Sequence, residues 1–264
     1  MTDLKQKIAA SFSARAEGYD LHAVVQKQAA GMLTDRLAKL QGQVPKAGPI
    51  LEFGCGTGAV PRHLPRLLPG QPLTLMDIAP GMIRVNRQAL TPFLAPGGPV
   101  NWQVGDAELI EARPHYALIL SCLTLQWFNQ PAASLARLCQ ALAPGGLLIC
   151  SFLTEGSFPE WHAVCRELNL ACTANPLPRA EEARAAVSGP GREVSLGEET
   201  LELTYPTALD FFRSLKETGT RTAARAHRLT PGEMRRLLAR WPKEANGQAL
   251  VTYQLATLLV RTPS

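Results

Sequence analysis

The segment 50–58 joins a short apolar run, Ile-Leu-Glu-Phe, to three closely spaced glycines, Gly54, Gly56 and Gly58. The apolar run predicts a buried strand. The glycines predict a tight turn in which the backbone comes close to a bound molecule, because glycine has no Cβ. We expect a helix over about 59–68, with its free N–H groups and positive dipole end directed at the turn. The pattern therefore favours a site for a nucleotide-like ligand.

Two ligand classes fit these glycines. The spacing Gly54-x-Gly56-x-x-Ala59 matches the dinucleotide fingerprint. The spacing Glu52-x-Gly54-x-Gly56-x-Gly58 matches the acidic glycine turn of S-adenosylmethionine (SAM) methyltransferases. The glycines alone do not decide between a dinucleotide and SAM.

Apolar runs alternate with helical patterns from residue 49 to residue 153, which is typical of a parallel sheet with helices on both faces. We predict strands at about 49–53, 73–77, 100–104, 116–121 and 147–153, and helices at about 80–90 and 131–142. Residues 4–40 have a helical pattern that is interrupted at 18–20. After residue 154 we predict one strand or a hairpin over 193–205, helices at about 207–217 and 231–241, and a closing strand at about 250–260.

Acidic and polar residues follow the predicted strands, where ligands bind in open α/β sheets. Asp77 ends the second strand, 23 residues after Gly54, and is placed to accept from both hydroxyls of a ribose. Asp106 follows the third strand and is placed to accept from an adenine amino group, with the N–H of Ala107 beside it. The alternatives are a helix N-cap for Asp77 and a solvated turn acid for Asp106.

The loop 121–127 after the fourth strand is expected to overlook the cofactor, although Trp127 also fits a core position. The cofactor-binding residues that we predict are Glu52, Gly54, Gly56, Gly58, Asp77, Ile78, Met82, Asp106, Ala107, Ser121 and Gln126, together with Tyr19 and Gln26.

The ends of four strands thus offer ligand-facing groups in the order that SAM needs, and the C-terminal pattern agrees. A helix followed by a closing strand resembles the antiparallel ending of class I SAM methyltransferases, whereas a dehydrogenase would continue with parallel units. We expect a Rossmann-like α/β fold with a seven-stranded, mostly parallel sheet, an antiparallel C-terminal strand and an inserted helical lid. The predicted single domain 1–264 comprises an N-terminal helical cap (1–48), the SAM-binding core (49–153), a lid and substrate region (154–240) and the return to the core (241–264).

Longer phrases resemble the malonyl-acyl carrier protein O-methyltransferases of biotin synthesis, in order and over nearly the whole chain. They are Ala14-Arg15-Ala16-x-x-Tyr19-Asp20, Leu123-x-Leu125-Gln126-Trp127, Ser151-Phe152-Leu153-x-x-Gly156-Ser157-Phe158-x-Glu160, Tyr205-Pro206, Arg213-Ser214-Leu215-Lys216-x-Thr218-Gly219, Leu229-Thr230 and Leu250-x-Thr252-Tyr253. The sequence departs from the family pattern at Cys122, where asparagine is expected, and at Glu52, where aspartate is more usual.

This resemblance implies methyl transfer from SAM to the free carboxylate of malonyl-acyl carrier protein. Such a carboxylate is ionised at neutral pH, so no general base is expected. Arg213 and Lys216 are the candidates to hold it, with Tyr19 and Trp127 nearby. Tyr19 and Gln26 are expected to close over the methionine end of SAM. The alternatives are a solvated helix face for the two cations and a partly buried ring for Tyr19.

The net charge is +5, and the excess lies at the C-terminal end, where residues 206–264 contain 10 Lys and Arg against 4 Asp and Glu. This surplus fits either a solvated helical face or a docking surface for an acidic partner. Acyl carrier proteins are strongly acidic, so the resemblance favours docking of the carrier. The candidate docking residues are Arg221, Arg225, Arg228, Arg235 and Arg236.

Other patterns indicate a cytoplasmic protein, expected to be a monomer. The N-terminus is polar, no run of 18 apolar residues occurs, and no nucleic-acid motif is present. The six cysteines are scattered and the histidines lack metal-site spacing, so we expect free thiols and no metal. Three functional alternatives stay open: another SAM-dependent methyltransferase acting on a free carboxylic acid or quinone precursor, a NAD-dependent oxidoreductase, and an inactive SAM-binding regulator.

Overall fold

The computed structural model describes residues 2–94, 100–220 and 229–264. In these residues seven strands form one sheet of order β3-β2-β1-β4-β5-β7-β6. The strands are β1 Ile50–Phe53, β2 Leu73–Asp77, β3 Val100–Val104, β4 Tyr116–Cys122, β5 Leu142–Leu153, β6 Glu193–Tyr205 and β7 Ala249–Arg261. Strand β7 is antiparallel to both of its neighbours, and the other pairs are parallel. The predicted fold class is confirmed, and 193–205 is one strand.

The helices flank this sheet. They are α1 Asp3–Arg15, α2 Tyr19–His22, α3 Val24–Leu40, α4 Leu64–Leu67, α5 Pro80–Leu90, α6 Pro131–Gln140, α7 Pro159–Glu167, α8 Ala180–Val187, α9 Ala208–Glu217 and α10 Pro231–Arg240. The predicted interruption at 18–20 separates α1 from α2. The division of the chain into cap, core and lid stays a prediction.

The central strands are mostly apolar because both faces of the sheet are covered, and Glu52 of β1 is a buried exception. All four residues of β1 are buried. Leu51 and Phe53 belong to the core on one face, which α6 covers through Leu135 and Leu138. Ile50 belongs to the core on the other face. This burial on two sides explains why continuous apolar runs, rather than alternating ones, predicted these strands.

The helix predicted after the glycine turn is largely wrong. The structure has a 3-10 turn over Pro61–His63 and then only the four residues of α4. The reason lies in the two prolines, Pro61 and Pro65, because proline has no N–H to donate and is tolerated only in the first turn of a helix. A helix dipole therefore contributes little at this turn, and the backbone amides and side chains around it must hold the ligand.

Within residues 2–94, 100–220 and 229–264, none of the helices has both the length and the apolar composition of a membrane span. Among the same residues, no group of three or more His, Cys, Asp or Glu is arranged to hold a metal ion.

Candidate active site

The carboxyl ends of β1, β2, β3 and β4 lie side by side at one edge of the sheet, because these strands are parallel neighbours. Their pairing brings the glycine turn beside Asp77, whose carbonyl accepts from the N–H of Gly105 at 2.9 Å. The predicted ligand-facing segments are therefore contiguous.

The three glycines of the turn have different roles. All three have positive φ, which favours glycine. A Cβ on Gly54 would lie 1.9 Å from the hydroxyl oxygen of Thr124, so the protein's own packing already requires glycine at this position. A Cβ on Gly56 would meet no atom within 4 Å, so the turn opens into free space at Gly56. The predicted close approach to a ligand applies to that position.

Asn86 holds the glycine turn through hydrogen bonds to its backbone and is not among the residues predicted from the sequence. It is fully buried on α5. Its side-chain amide donates to the carbonyls of Cys55 and Gly56 at 3.3 and 3.1 Å, and its oxygen accepts from the indole of Trp102 at 3.2 Å. No sequence signal distinguishes such an asparagine from a solvated helical one.

Asp77 is a buried acid held by backbone amides. Its two oxygens accept from the N–H groups of Gly56 and Ala79, each at 2.9 Å. Burial raises the pKa of Asp77 to about 6, although these amide hydrogen bonds, with one from Ile78, act to lower it. The carboxylate is thus fixed in orientation beside Gly56, with acceptor capacity remaining on both oxygens.

Two buried acceptors near this edge lack a partner within the described residues. They are Oε2 of Glu52 and Oε1 of Gln126. Burial, and then the charge of Asp77, raises the pKa of Glu52 well above its usual value. A buried carboxylate without a partner is costly, and a cationic donor would satisfy it. The two acceptors fit a ligand that carries an ammonium group, as the methionine end of SAM does.

The helices α1 and α2 cover this edge. Asp20 accepts from the hydroxyl of Thr57 in the glycine turn at 2.6 Å, and Ser13 accepts from the N–H of Gly81 at 3.1 Å. Tyr19 faces the site: burial raises the pKa of its phenol, followed by the charge of Asp77. The structure therefore places Tyr19 close to Asp77, one of the predicted cofactor residues.

An aromatic cluster lies under this cover. The ring of Phe12 contacts those of Trp127 and Tyr19, with centroids 5.3 and 6.3 Å apart. Phe12 and Tyr19 also pack against Met82 and Ala79. Phe12 is not among the predicted site residues, yet it lies between two of them, Tyr19 and Trp127.

Comparisons with known proteins agree with this geometry. Residues 51–148 match a family model described as a methyltransferase domain. The chain is 33% identical over 256 residues to the malonyl-acyl carrier protein O-methyltransferase of Pseudescherichia vulneris, with 95% of each chain covered. This chain belongs to the malonyl-acyl carrier protein O-methyltransferase family. It is also 36% identical to the biotin biosynthesis bifunctional protein BioCD of Bordetella avium over 95% of its own length, but spans only 51% of that longer protein.

Solved structures show that the fold is shared more widely than the family. The YcgJ protein of Bacillus subtilis superposes with a TM-score of 0.61 at 13% identity, covering 88% of this chain and 99% of that one. Magnesium protoporphyrin IX methyltransferase of Synechocystis with bound SAH superposes with a TM-score of 0.58 at 15% identity, covering 97% and 99%. The sheet of this family member is therefore that of a general methyltransferase scaffold.

Two other predicted cofactor residues are committed to protein contacts. The buried hydroxyl of Ser121 donates to the carbonyl of Phe53 at 2.9 Å. Asp106 is paired with Lys5 of α1, and the buried Ala107 follows it. Neither Phe53 nor Lys5 is among the predicted site residues. Gln26 is half-buried on α3.

The predicted substrate cations lie on the exposed face of α9. Arg213 donates to Asp210 at 2.9 Å, and Lys216 is exposed one turn later. The end of α9 packs on α1, where Arg15 pairs with Glu217 at 3.0 Å and Ser11 donates to the carbonyl of Gly219 at 3.0 Å. These contacts place the segment 213–219 beside α1, on the outside of the helices that cover the predicted cofactor site.

The predicted docking residues divide into two groups. Arg235 and Arg236 are exposed on α10, and Arg236 donates to the carbonyl of Leu168 at 3.3 Å. Arg221, Arg225 and Arg228 lie outside the described residues.

Proposed function

We propose that this chain transfers the methyl group of SAM to the free carboxylate of malonyl-acyl carrier protein, forming the methyl ester that biotin synthesis elongates. The observation that carries the proposal is that two buried acceptors, Glu52 Oε2 in β1 and Gln126 Oε1 in the loop after β4, lack a partner among the described residues at the edge of the sheet that carries the glycine turn. Membership of the family supplies the substrate class.

The residues that would hold SAM follow from this arrangement. Glu52 and Gln126 would accept from its ammonium group, Asp77 from its ribose hydroxyls and Asp106 from its adenine amino group. Bound SAM supplies a methyl group activated by a sulfonium. The half-buried aromatic residues Phe12, Tyr19 and Trp127 would exclude water from it, which strengthens attraction between opposite charges.

The protein need not supply a base. The attacking carboxylate is ionised at neutral pH, since its reference pKa is about 4. Its reaction requires alignment and exclusion of water, which fixed side chains provide. We assign substrate binding to Arg213 and Lys216, with Tyr19 and Trp127 on the cofactor side. Because Arg213 already donates to Asp210, binding a malonyl carboxylate would exchange one carboxylate partner for another.

Mass spectrometry of malonyl-acyl carrier protein after incubation with the enzyme and SAM tests the proposal. We expect the carrier to gain one methyl group. Acetyl-acyl carrier protein is the control, because it lacks the carboxylate and must stay unchanged. Methylation of free malonate or of a quinone precursor in place of the carrier-bound substrate would replace the proposal by the related small-molecule function. Calorimetric binding of NAD without SAM would exclude both.

A further inference from the structure

Lys5 of α1 is a buried ammonium group at the cofactor edge of the sheet. Only 3% of the residue is exposed. Its Nζ lies 2.5 Å from Oδ1 and 2.6 Å from Oδ2 of Asp106, and it also contacts Oε2 of Glu108. The ring centroid of Phe128 is 5.4 Å away. Lysine is almost never fully buried unless its charge is paired, and the two carboxylates supply that pairing here.

The ammonium group has its donors fully used. An ammonium has three N–H groups, and three carboxylate oxygens surround it here. No donor of Lys5 therefore remains for a ligand. Any part that Lys5 has in cofactor binding must act through the carboxylates that it holds.

Glu108 is the fixed member of the cluster. Its carboxylate accepts from the N–H groups of Asn129 and Gln130 at 3.0 and 2.9 Å, and from the hydroxyl of Ser134 at 3.0 Å. Burial alone would raise the pKa of Glu108, but the hydrogen bonds from Lys5 and the two amides outweigh it and lower the pKa. Glu108 is thus an ionised carboxylate that is tied to the loop before α6 and to the first turn of that helix.

Asp106 is the carboxylate of this cluster that can still accept a hydrogen bond. Its Oδ1 accepts from Lys5 and, at 3.0 Å, from the N–H of Glu108, whereas its Oδ2 accepts from Lys5. A carboxylate oxygen has two acceptor positions, so Oδ2 keeps one. Asp106 follows β3, next to the end of β2 and the predicted ribose acceptor Asp77. That remaining acceptor position lies where the base of SAM is expected.

We propose that Lys5 is a positioning residue for the cofactor base. It fixes the Asp106 carboxylate so that Oδ2 accepts from the adenine amino group, and Glu108 anchors Lys5 in turn. The proposal rests on the proposed SAM site and goes beyond it, since it assigns recognition of the base to a residue of the N-terminal helix. A purely structural lysine would affect all ligands of the site alike.

The test compares S-adenosylhomocysteine with S-inosylhomocysteine, in which an oxo group replaces the adenine amino group. Calorimetry gives both dissociation constants for the full chain and its variants. We expect the wild type to prefer the adenine ligand and Lys5→Met to lose about tenfold or more of that affinity, as for a hydrogen bond to a charged group. The inosine ligand should be little affected, so the preference collapses.

Two further variants complete the design. Lys7→Met is the matched control, because Lys7 is on the same helix but its side chain is 66% exposed and pairs with Asp3; it should bind both ligands as the wild type does. Lys5→Met leaves the largely covered carboxylates of Asp106 and Glu108 without their cation, so Lys5→Arg, which keeps the charge, is the second variant. Arginine should reduce the preference several-fold, because its planar fork does not reproduce the lysine geometry.

Equal losses for both ligands in the Lys5 variants would overturn the proposal, as would an unchanged preference. Tighter binding of S-adenosylhomocysteine by Lys5→Met would also overturn it, since Lys5 would then compete with the base for Asp106. If the wild type bound neither ligand, the proposed SAM function itself would fail, which distinguishes the two failures.

Discussion

Glu52 is buried in β1, and its Oε2 has no hydrogen-bond partner among the described residues, so a bound cation would stabilise its ionised form. We predict that Glu52→Gln weakens binding of S-adenosylhomocysteine about tenfold or more, because a charge-assisted hydrogen bond is lost. Methylthioadenosine lacks the amino acid end, so its affinity should not change. Calorimetry with both ligands measures the difference. An equal loss for the two would mean that Glu52 acts on the fold and not on the ammonium group.

Asp77 predicts a pH dependence of nucleoside binding. Its pKa in the free protein is about 6, raised by burial. Ribose hydroxyls donate to the ionised form, so ligand affinity should be lost as pH falls through about 6, by up to about tenfold per pH unit. Methylthioadenosine isolates this effect from Glu52. Titrations between pH 5 and pH 8 should show the loss in the wild type and a flat profile in Asp77→Asn; a flat wild-type profile would contradict the assignment.

Sequence patterns identify residues whose role depends on chain position and miss those whose role depends on folding. Asp77 and Glu52 are recognisable because strand ends and glycine spacing mark them. Lys5 lies 101 positions from Asp106, and the sequence of a polar N-terminal helix does not indicate which of its lysines is buried. The packing of Gly54 against Thr124 also depends on the folded chain, so the glycine spacing does not predict it.

At the scale of elements, strands were easier to predict than the connections between them. Strand β2 matches its predicted bounds, 73–77, and all of its residues except Thr74 are buried, as expected for a strand covered on both faces. The helix predicted at 59–68 is largely wrong because Pro61 and Pro65 divide the segment into a 3-10 turn and a four-residue helix. The docking of α1 and α2 on the glycine turn was outside the reach of periodicity, since it depends on contacts such as that of Asp20 with Thr57.

This docking leads to a prediction for Gly81. A Cβ there would lie 2.6 Å from the carbonyl oxygen of Ser13, so Gly81→Ala should displace α1 from α5. We expect faster amide exchange in α1 and weaker binding of S-adenosylhomocysteine. Gly31→Ala in α3 is the matched control, since its Cβ meets no atom within 4 Å; it should stabilise the fold by about 0.5–1 kcal/mol. Unchanged exchange in α1 of Gly81→Ala would show that the contact adjusts without displacing α1.

At the scale of the whole molecule, the sheet carries the general function and the elements around it carry the particular one. The superposed structures share the fold at 13–15% identity. The proposals for base positioning and carrier docking concern residues outside the sheet, in the N-terminal helices and on the charged surface of α10. Helix α10 leads into the start of β7, which pairs with the carboxyl end of β5. Its arginines therefore lie toward the same edge of the sheet as the site.

A charge reversal tests whether this surface docks the carrier. We predict that Arg235→Glu with Arg236→Glu raises the apparent KM for malonyl-acyl carrier protein several-fold and leaves that for a small malonyl thioester unchanged, because only the carrier presents an acidic surface. Added salt should reduce the difference between variant and wild type. Lys39→Glu with Lys46→Glu is the matched control, since both are exposed and precede β1, and thus lie at the opposite edge of the sheet. Equal effects on the two substrates would mean that these arginines support the fold and do not dock the carrier.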